Sequence, residues 1–154
     1  MIVIRINSLQ KEQITPLLEE SKREGFGFIE RLVHDYQTGK NKFSLPGEAL
    51  FGVFHNDELI GVGGLNRDPY DQDKRTCRIR RFYVVKEYRR KGAGSLLLET
   101  LLSEAVPNFS AAVLRTDTKE AAGFYERAGF SKIQSDHATH RLTLRGGELH
   151  DHKR

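Results

Sequence analysis

The stretch from Thr76 to Leu114 constrains the fold more than any other part of this chain. Thr76 to Val85 alternates and is rich in β-formers, as a strand requires. A cationic glycine corner follows, Arg89-Arg90-Lys91-Gly92-Ala93-Gly94-Ser95. Gly92 to Val106 then reads as a helix. Leu96, Leu97, Leu98, Leu101, Leu102 and Ala105 gather on one face, and Pro107-Asn108 ends it. Ala111 to Leu114 is a short buried strand. A strand, crossover helix and strand of this length are expected to form a parallel pair with a right-handed connection.

The flanking sequence supplies the rest of a sheet. Ile2 to Ile6 alternates around Arg5, a strand signal. Thr15-Pro16 reads as the N-cap and first residue of a helix that carries Leu17, Leu18 and Ser21 and stops at Gly25. Phe26, Phe28, Ile29, Leu32 and Val33 repeat with helical spacing until Gly39. Leu50 to His55 and Leu59 to Leu65 are strands joined by Asn56-Asp57, a hairpin signal. Asn66 to Arg75 is polar and loop-like. Lys119 to Ala128 is a helix closed by Gly129. Phe130 to Ile133 and Thr139 to Leu144 are the last strands expected. This order, meander mixed with crossover, implies a mixed α/β sheet.

Composition sets bounds on the function. The 154 residues suit one domain, taken as 1–145 with a polar tail over 146–154. No run of apolar residues is long enough for a membrane span, so no membrane role is expected. Cys77 is the only cysteine. It excludes an internal disulfide and a cysteine-based zinc site, and fits a reducing cytoplasm. The net charge of +4 favours a polyanionic ligand such as a nucleotide or nucleic acid.

The chemistry is concentrated in two places. In the Arg89–Ser95 corner, glycines let backbone approach a ligand, and a helix start presents free N–H groups and a positive dipole end. Arg89, Arg90 and Lys91 add charge, so the corner suits a pyrophosphate. It lacks the spacing of a Walker loop or a dinucleotide fingerprint. The second place is Ala121 to Phe130, where Tyr125 holds its proton at neutral pH and can act as an acid.

Together, in this order, these motifs resemble the GNAT superfamily of acyl-CoA-dependent N-acyltransferases, from about Leu50 to Leu144. Arg89, Gly92 and Gly94 match its cofactor motif, Phe82-Tyr83-Val84 its preceding strand end, and Tyr125, Gly129 and Phe130 its later helix motif. The resemblance implies a mostly antiparallel, twisted mixed sheet with helices on both faces. It implies acetyl-CoA as cosubstrate and no metal. The Lys91, Gly92, Ala93, Gly94 and Ser95 amides would hold the pyrophosphate, with charge from Arg89, Arg90 and Lys91. Phe82, Tyr83 and Val84 would meet the pantetheine, and a backbone N–H near Val84 would stabilise an oxyanion. Tyr125 would protonate the leaving thiolate. The acceptor would be an amine of a small molecule or peptide, and the protein a monomer or homodimer.

The strand where many members carry a glutamate base reads Arg80-Arg81-Phe82 here. Asp68, Asp71, Asp73 and Glu30 are the carboxylates that could replace it. Thr118 stands where the family often has asparagine. His137 and His140 are candidates for the acceptor pocket, whereas His150 and His152 sit in the tail. Arg31, His34, Tyr36, Phe43 and Glu48 lie in the region that would shape that pocket. Competing readings are a non-catalytic CoA-binding module and, ranked last, a nucleic-acid binder using Arg78, Arg80, Arg81, Arg89, Arg90 and Lys91.

Overall fold

Asn56 and Asp57 both take left-handed φ, 51° and 68°, the two-residue turn whose twist matches a hairpin. In the computed structural model, which describes residues 1–144, they join β2 (Ala49–His55) to β3 (Glu58–Arg67). β1 (Ile2–Arg5) adds antiparallel to β2, and β4 (Thr76–Val84) antiparallel to β3. β5 (Ala111–Leu114) lies parallel to β4, as the crossover through α3 (Ala93–Ala105) requires. β7 (His140–Thr143) and the two-residue β6 (Ser131–Lys132) complete a seven-stranded sheet in the order β1-β2-β3-β4-β5-β7-β6. All neighbours except β4 and β5 are antiparallel.

Each face of the sheet has its own core. Leu97, Leu98, Leu101 and Ala105 of α3 pack with Val53, Ile79, Leu114 and Phe130 on one side, joined by Tyr125 of α4 (Lys119–Arg127). On the other, Ile14 and Leu17 of α1 (Lys11–Arg23) meet Ile29 and Leu32 of α2 (Phe28–Thr38), Val62 and Tyr83. Among the described residues no helix is long and apolar enough to cross a membrane.

Two local expectations are corrected. Thr15-Pro16 does not open α1. The helix starts at Lys11 and carries Pro16 inside it. Pro16 has no N–H to give Glu12, a loss of about 3 kcal/mol in a helix interior. Buried Ile14, Leu17 and Ser21 run through that point on one face, so packing overrides the breaker. Thr15 Oγ1 meanwhile donates to Lys11 O at 2.7 Å. At the other end, β6 is shorter than the strand expected over Phe130 to Ile133, because Phe130 is drawn into the core below α4. The tail, with His150 and His152, lies outside the described residues.

Candidate active site

β4 and β5 stay paired only briefly. Thr76, Cys77 and Arg78 face Ala111, Ala112 and Val113, and then the strands part. Beyond Arg78 one edge of β4 still pairs with β3, while the other borders a gap in the middle of the sheet. Val85 N–H donates to Ile60 O at 2.9 Å. By the alternation of an antiparallel ladder, the N–H and C=O of Val84 therefore point away from β3, into the gap. The Val84 carbonyl is taken by Arg89 Nε at 2.9 Å.

A bulge prepares this stretch. Val62 pairs with Tyr83 but Gly64 with Arg80, so Gly63 alone faces Arg81 and Phe82. Arg81 accommodates the extra residue at φ 55°. A Cβ on Gly63 would lie 3.0 Å from Phe82 Cδ2, so a side chain there would press Phe82 aside by a few tenths of an ångström. The bulge divides the side chains between faces. Phe82 turns to the α3–α4 side, its ring 5.8 Å from that of Tyr125. Tyr83 turns to α1, where its hydroxyl lies 2.6 Å from both Glu20 Oε2 and Glu24 Oε1 and can donate to one at a time. Burial first, and then these carboxylates, push the Tyr83 phenol well above its ordinary pKa.

The glycine corner follows a short 3-10 turn at Lys86–Tyr88. Arg90 and Gly92 both take left-handed φ, 66° and 90°. Arg89 N–H donates to Lys86 O, and Leu96 N–H donates to Gly92 O. Between them no amide from Arg90 to Ser95 has a partner among the described residues. A Cβ placed on Gly92 would touch nothing. The corner is therefore an open cradle of N–H groups at the positive end of a thirteen-residue helix, suited to a diphosphate. It continues into a groove of about 330 Å³ between α3 and α4, lined by Ser95, Leu98, Phe124 and Arg127.

Arg89 is placed differently from the expectation of a charge for the diphosphate. Both its terminal nitrogens bond Glu24, at 3.0 and 2.5 Å, while Nε holds Val84. The Glu24 pKa is lowered, first of all because Arg89 bonds its carboxylate. Arg90 and Lys91 stay exposed, with the Lys91 ammonium 5.5 Å from the Tyr88 ring.

Tyr125 is buried beneath Phe82, Phe124 and Phe130, whose rings meet it edge-on. Its hydroxyl makes no hydrogen bond among the described residues, and burial pushes its pKa far above the ordinary value. The phenol thus remains a proton donor throughout the neutral and moderately alkaline range.

Most of the other candidates are committed elsewhere. Asp68 bonds Arg78 Nε at 3.1 Å, Asp71 accepts from Asp73 N–H, and Glu30 pairs with Lys22. Glu48 is buried and staples the loop before β2 by accepting from the Leu45 and Arg67 amides. Thr118 caps α4 by accepting from Ala121 N–H. His140 is buried between Glu126 at 2.8 Å and Thr139 at 2.9 Å, and His137 stacks on Tyr70. Glu20, Glu24 and the bulge at Arg81 were not singled out in sequence. Only the four-residue spacing of the two glutamates, one in the last turn of α1 and one at its C-cap, hints at a shared target.

The sequence profile of the Acetyltransferase (GNAT) family matches residues 11–130. No protein of curated function matches the chain. Among solved structures, a candidate acetyltransferase from Exiguobacterium sp. 255-15 is similar at 30% identity and TM-score 0.85, over 99% of this chain and 98% of that one. An aminoglycoside 6'-N-acetyltransferase complexed with coenzyme A shares the fold at 14% identity and TM-score 0.68, over 94% and 98%. So does the ribosomal-protein-S18-alanine N-acetyltransferase of Escherichia coli, at 17% identity and TM-score 0.63, over 93% and 94%.

Proposed function

This chain belongs to the GNAT acetyltransferase family, and from that premise we propose that it transfers an acetyl group from acetyl-CoA to a primary amine of a small molecule or peptide by direct attack. The observation that carries this reading is the junction of two backbone features: the gap between β4 and β5 and the free amides from Arg90 to Ser95. A molecule with a diphosphate and an amide-bearing arm can satisfy both at once.

Acetyl-CoA supplies the activated acyl group as a thioester. Residues Lys91, Gly92, Ala93, Gly94 and Ser95 bind its diphosphate through backbone N–H, with Arg90 and Lys91 adding charge and Arg89 holding the corner in shape. The stretch Phe82, Tyr83 and Val84 lies along the pantetheine arm, and those of its backbone groups that are turned away from β3 hydrogen-bond the arm as a strand would. The Val84 N–H polarises the thioester carbonyl, an effect worth roughly 3 kcal/mol for one well-placed donor. The free amine attacks, a C–N bond forms, and the C–S bond breaks. Tyr125 gives its proton to the departing thiolate and recovers one from water. The acceptor's ammonium loses one proton to water before attack, and the nitrogen loses a second to water after the C–N bond forms, which balances the proton that Tyr125 passes to sulfur and recovers from solvent.

Calorimetric titration with acetyl-CoA, beside a thiol-release screen over primary amines, tests this. Micromolar binding with thiol release on an amine is expected. No binding at millimolar acetyl-CoA would remove the cosubstrate and the reaction together.

A further inference from the structure

Arginines crowd the α1–α2 side of the gap. Arg78 and Arg80 alternate with Cys77 and Ile79, which face α3, so they project to the opposite side. Arg81 joins them from the bulge, and Arg31 approaches from α2. The carboxylates within reach are already used. Asp68 is paired with Arg78 at 3.1 Å, and Asp35 with Arg81 at 3.7 Å. Arg80 has no ion pair and no hydrogen bond among the described residues, although it is half-buried. It lies two positions beyond the last β4–β5 pair, beside the gap, and its cross-strand neighbour on β3 is Gly64.

A half-buried cation without a counter-charge is electrostatically incomplete, and a guanidinium is shaped to take a carboxylate through both oxygens. The charges acting on Arg80 are those of Arg78 and Arg31, opposed by Asp35. Burial first, and then Arg78, lowers its pKa, which marks a charge poorly compensated by the protein itself. β3 runs on through Asn66 and Arg67, which were expected in a loop, and the shorter β3–β4 loop is held beside this cluster, with Arg78 Nη1 donating to His137 O at 2.8 Å and Tyr70 stacked on His137.

We infer that the acceptor is an amine that also carries a carboxylate, and that Arg80 binds that carboxylate with Arg31 at the rim. The inference rests on the acetyltransferase reading and adds the acceptor's charge class to it. The same cations also serve the chemistry. A positive surrounding disfavours an ammonium ion, so the bound acceptor loses its proton to water more readily and presents the free amine. A carboxylate base on the enzyme is then not required. Overall the amine nitrogen gains the acetyl group, the sulfur gains a proton, and one proton is released to solvent.

The test is initial-rate thiol release with acetyl-CoA across matched acceptors: α-amino acids, their amides, the corresponding decarboxylated amines, and dipeptide amides with an acidic side chain. Spermidine and kanamycin serve as polycationic acceptors. Carboxylate-bearing acceptors are expected to exceed their neutral partners by about tenfold or more in kcat/KM, the size of one charge-assisted contact. The amino-acid and dipeptide arms tell a free α-carboxylate from an acidic side chain. Arg80→Gln should abolish the preference by raising the acceptor KM, with the acetyl-CoA KM unchanged. Arg31→Gln, at an exposed position, should reduce it in part. Failure to bind acetyl-CoA overturns the acetyltransferase reading and this one with it. Acetyl-CoA binding with no turnover of any carboxylate-bearing acceptor, with preference for neutral or polycationic amines, or with a preference that survives Arg80→Gln, overturns this inference alone.

Discussion

Glu24, just past the end of α1, grips the Arg89 guanidinium through both carboxylate oxygens, at 3.0 and 2.5 Å. The grip joins the helical layer on one face of the sheet to the glycine corner at the start of α3. Arg89 Nε fixes Val84 O at the same time. One side chain thus sets both the corner and the strand end beside the gap.

Glu24→Gln should therefore weaken acetyl-CoA binding without touching the reacting atoms. The acetyl-CoA KM is expected to rise about tenfold, which corresponds to ~1.4 kcal/mol, with kcat nearly constant. A double-mutant cycle with Arg89→Gln should give a coupling of about 1 kcal/mol in cofactor binding. Additive losses would mean that the two residues act separately.

Acid should loosen the same corner. The Glu24 pKa is held below its ordinary value of 4.5, so the ionised form is the one favoured by folding. Its contribution is complete above that ordinary value and is lost as pH falls through the lower, folded one. The midpoint of thermal unfolding in wild type should drop more steeply below pH 4.5 than in Glu24→Gln. Parallel curves would assign the acid sensitivity to other carboxylates.

Tyr125→Phe keeps the ring packed against Phe82, Phe124 and Phe130 and removes only the proton donor. The maximal rate should fall on the order of a hundredfold, while acetyl-CoA affinity and melting temperature stay close to wild type. Because burial raises the phenol above its ordinary value of 10, no alkaline decline due to this group should appear below that pH. A mutant as fast as wild type would take the acid role from Tyr125.

Gly92→Ala places a methyl group at φ 90° on the open side of the cradle. The conformation costs about 1–2 kcal/mol for a residue with a Cβ, and under the proposed function the methyl would also crowd the diphosphate. Gly39→Ala is the matched control, with φ 81° and equally open space behind α2. Both should lower the melting temperature similarly, and only Gly92→Ala should lose acetyl-CoA affinity. Equal affinities, measured calorimetrically, would place the diphosphate elsewhere.

Cys77 is buried in the sheet, its pKa pushed up to about 12 by burial. The native protein should resist thiol reagents at pH 8 and react only on unfolding. Thiol-release assays should accordingly carry no background from the enzyme. Rapid labelling of folded protein would reveal opening of the β4–β5 pair.

What was legible in the sequence is what neighbouring residues decide. Asn56-Asp57 specified its turn, Gly39 and Gly129 their helix ends, and Gly92 with the leucines of α3 the crossover that makes β4 and β5 parallel. What was hidden depends on partners far along the chain. Arg89 meets Glu24 sixty-five positions away, so its charge reads as free until the fold brings them together. Pro16 reads as a helix start because the apolar face that overrides it is completed by α2 and the sheet. The bulge has no local signal either, since it depends on Phe82 crossing above Gly63. His140 looks like a candidate for the acceptor pocket until Glu126 and Thr139 claim it.

The gap between β4 and β5 has a consequence beyond catalysis. A sheet open at its centre leaves backbone groups such as the Val84 N–H without a partner among the described residues, and under the proposed function a ligand bound there would work as an eighth, removable strand. Stability then follows mass action. A ligand present at a hundred times its dissociation constant adds about 2.7 kcal/mol to the folded state. The lifetime of this fold in a cell would then track the supply of the molecule that fills the gap, so that starvation for it exposes the protein to proteolysis before any residue changes.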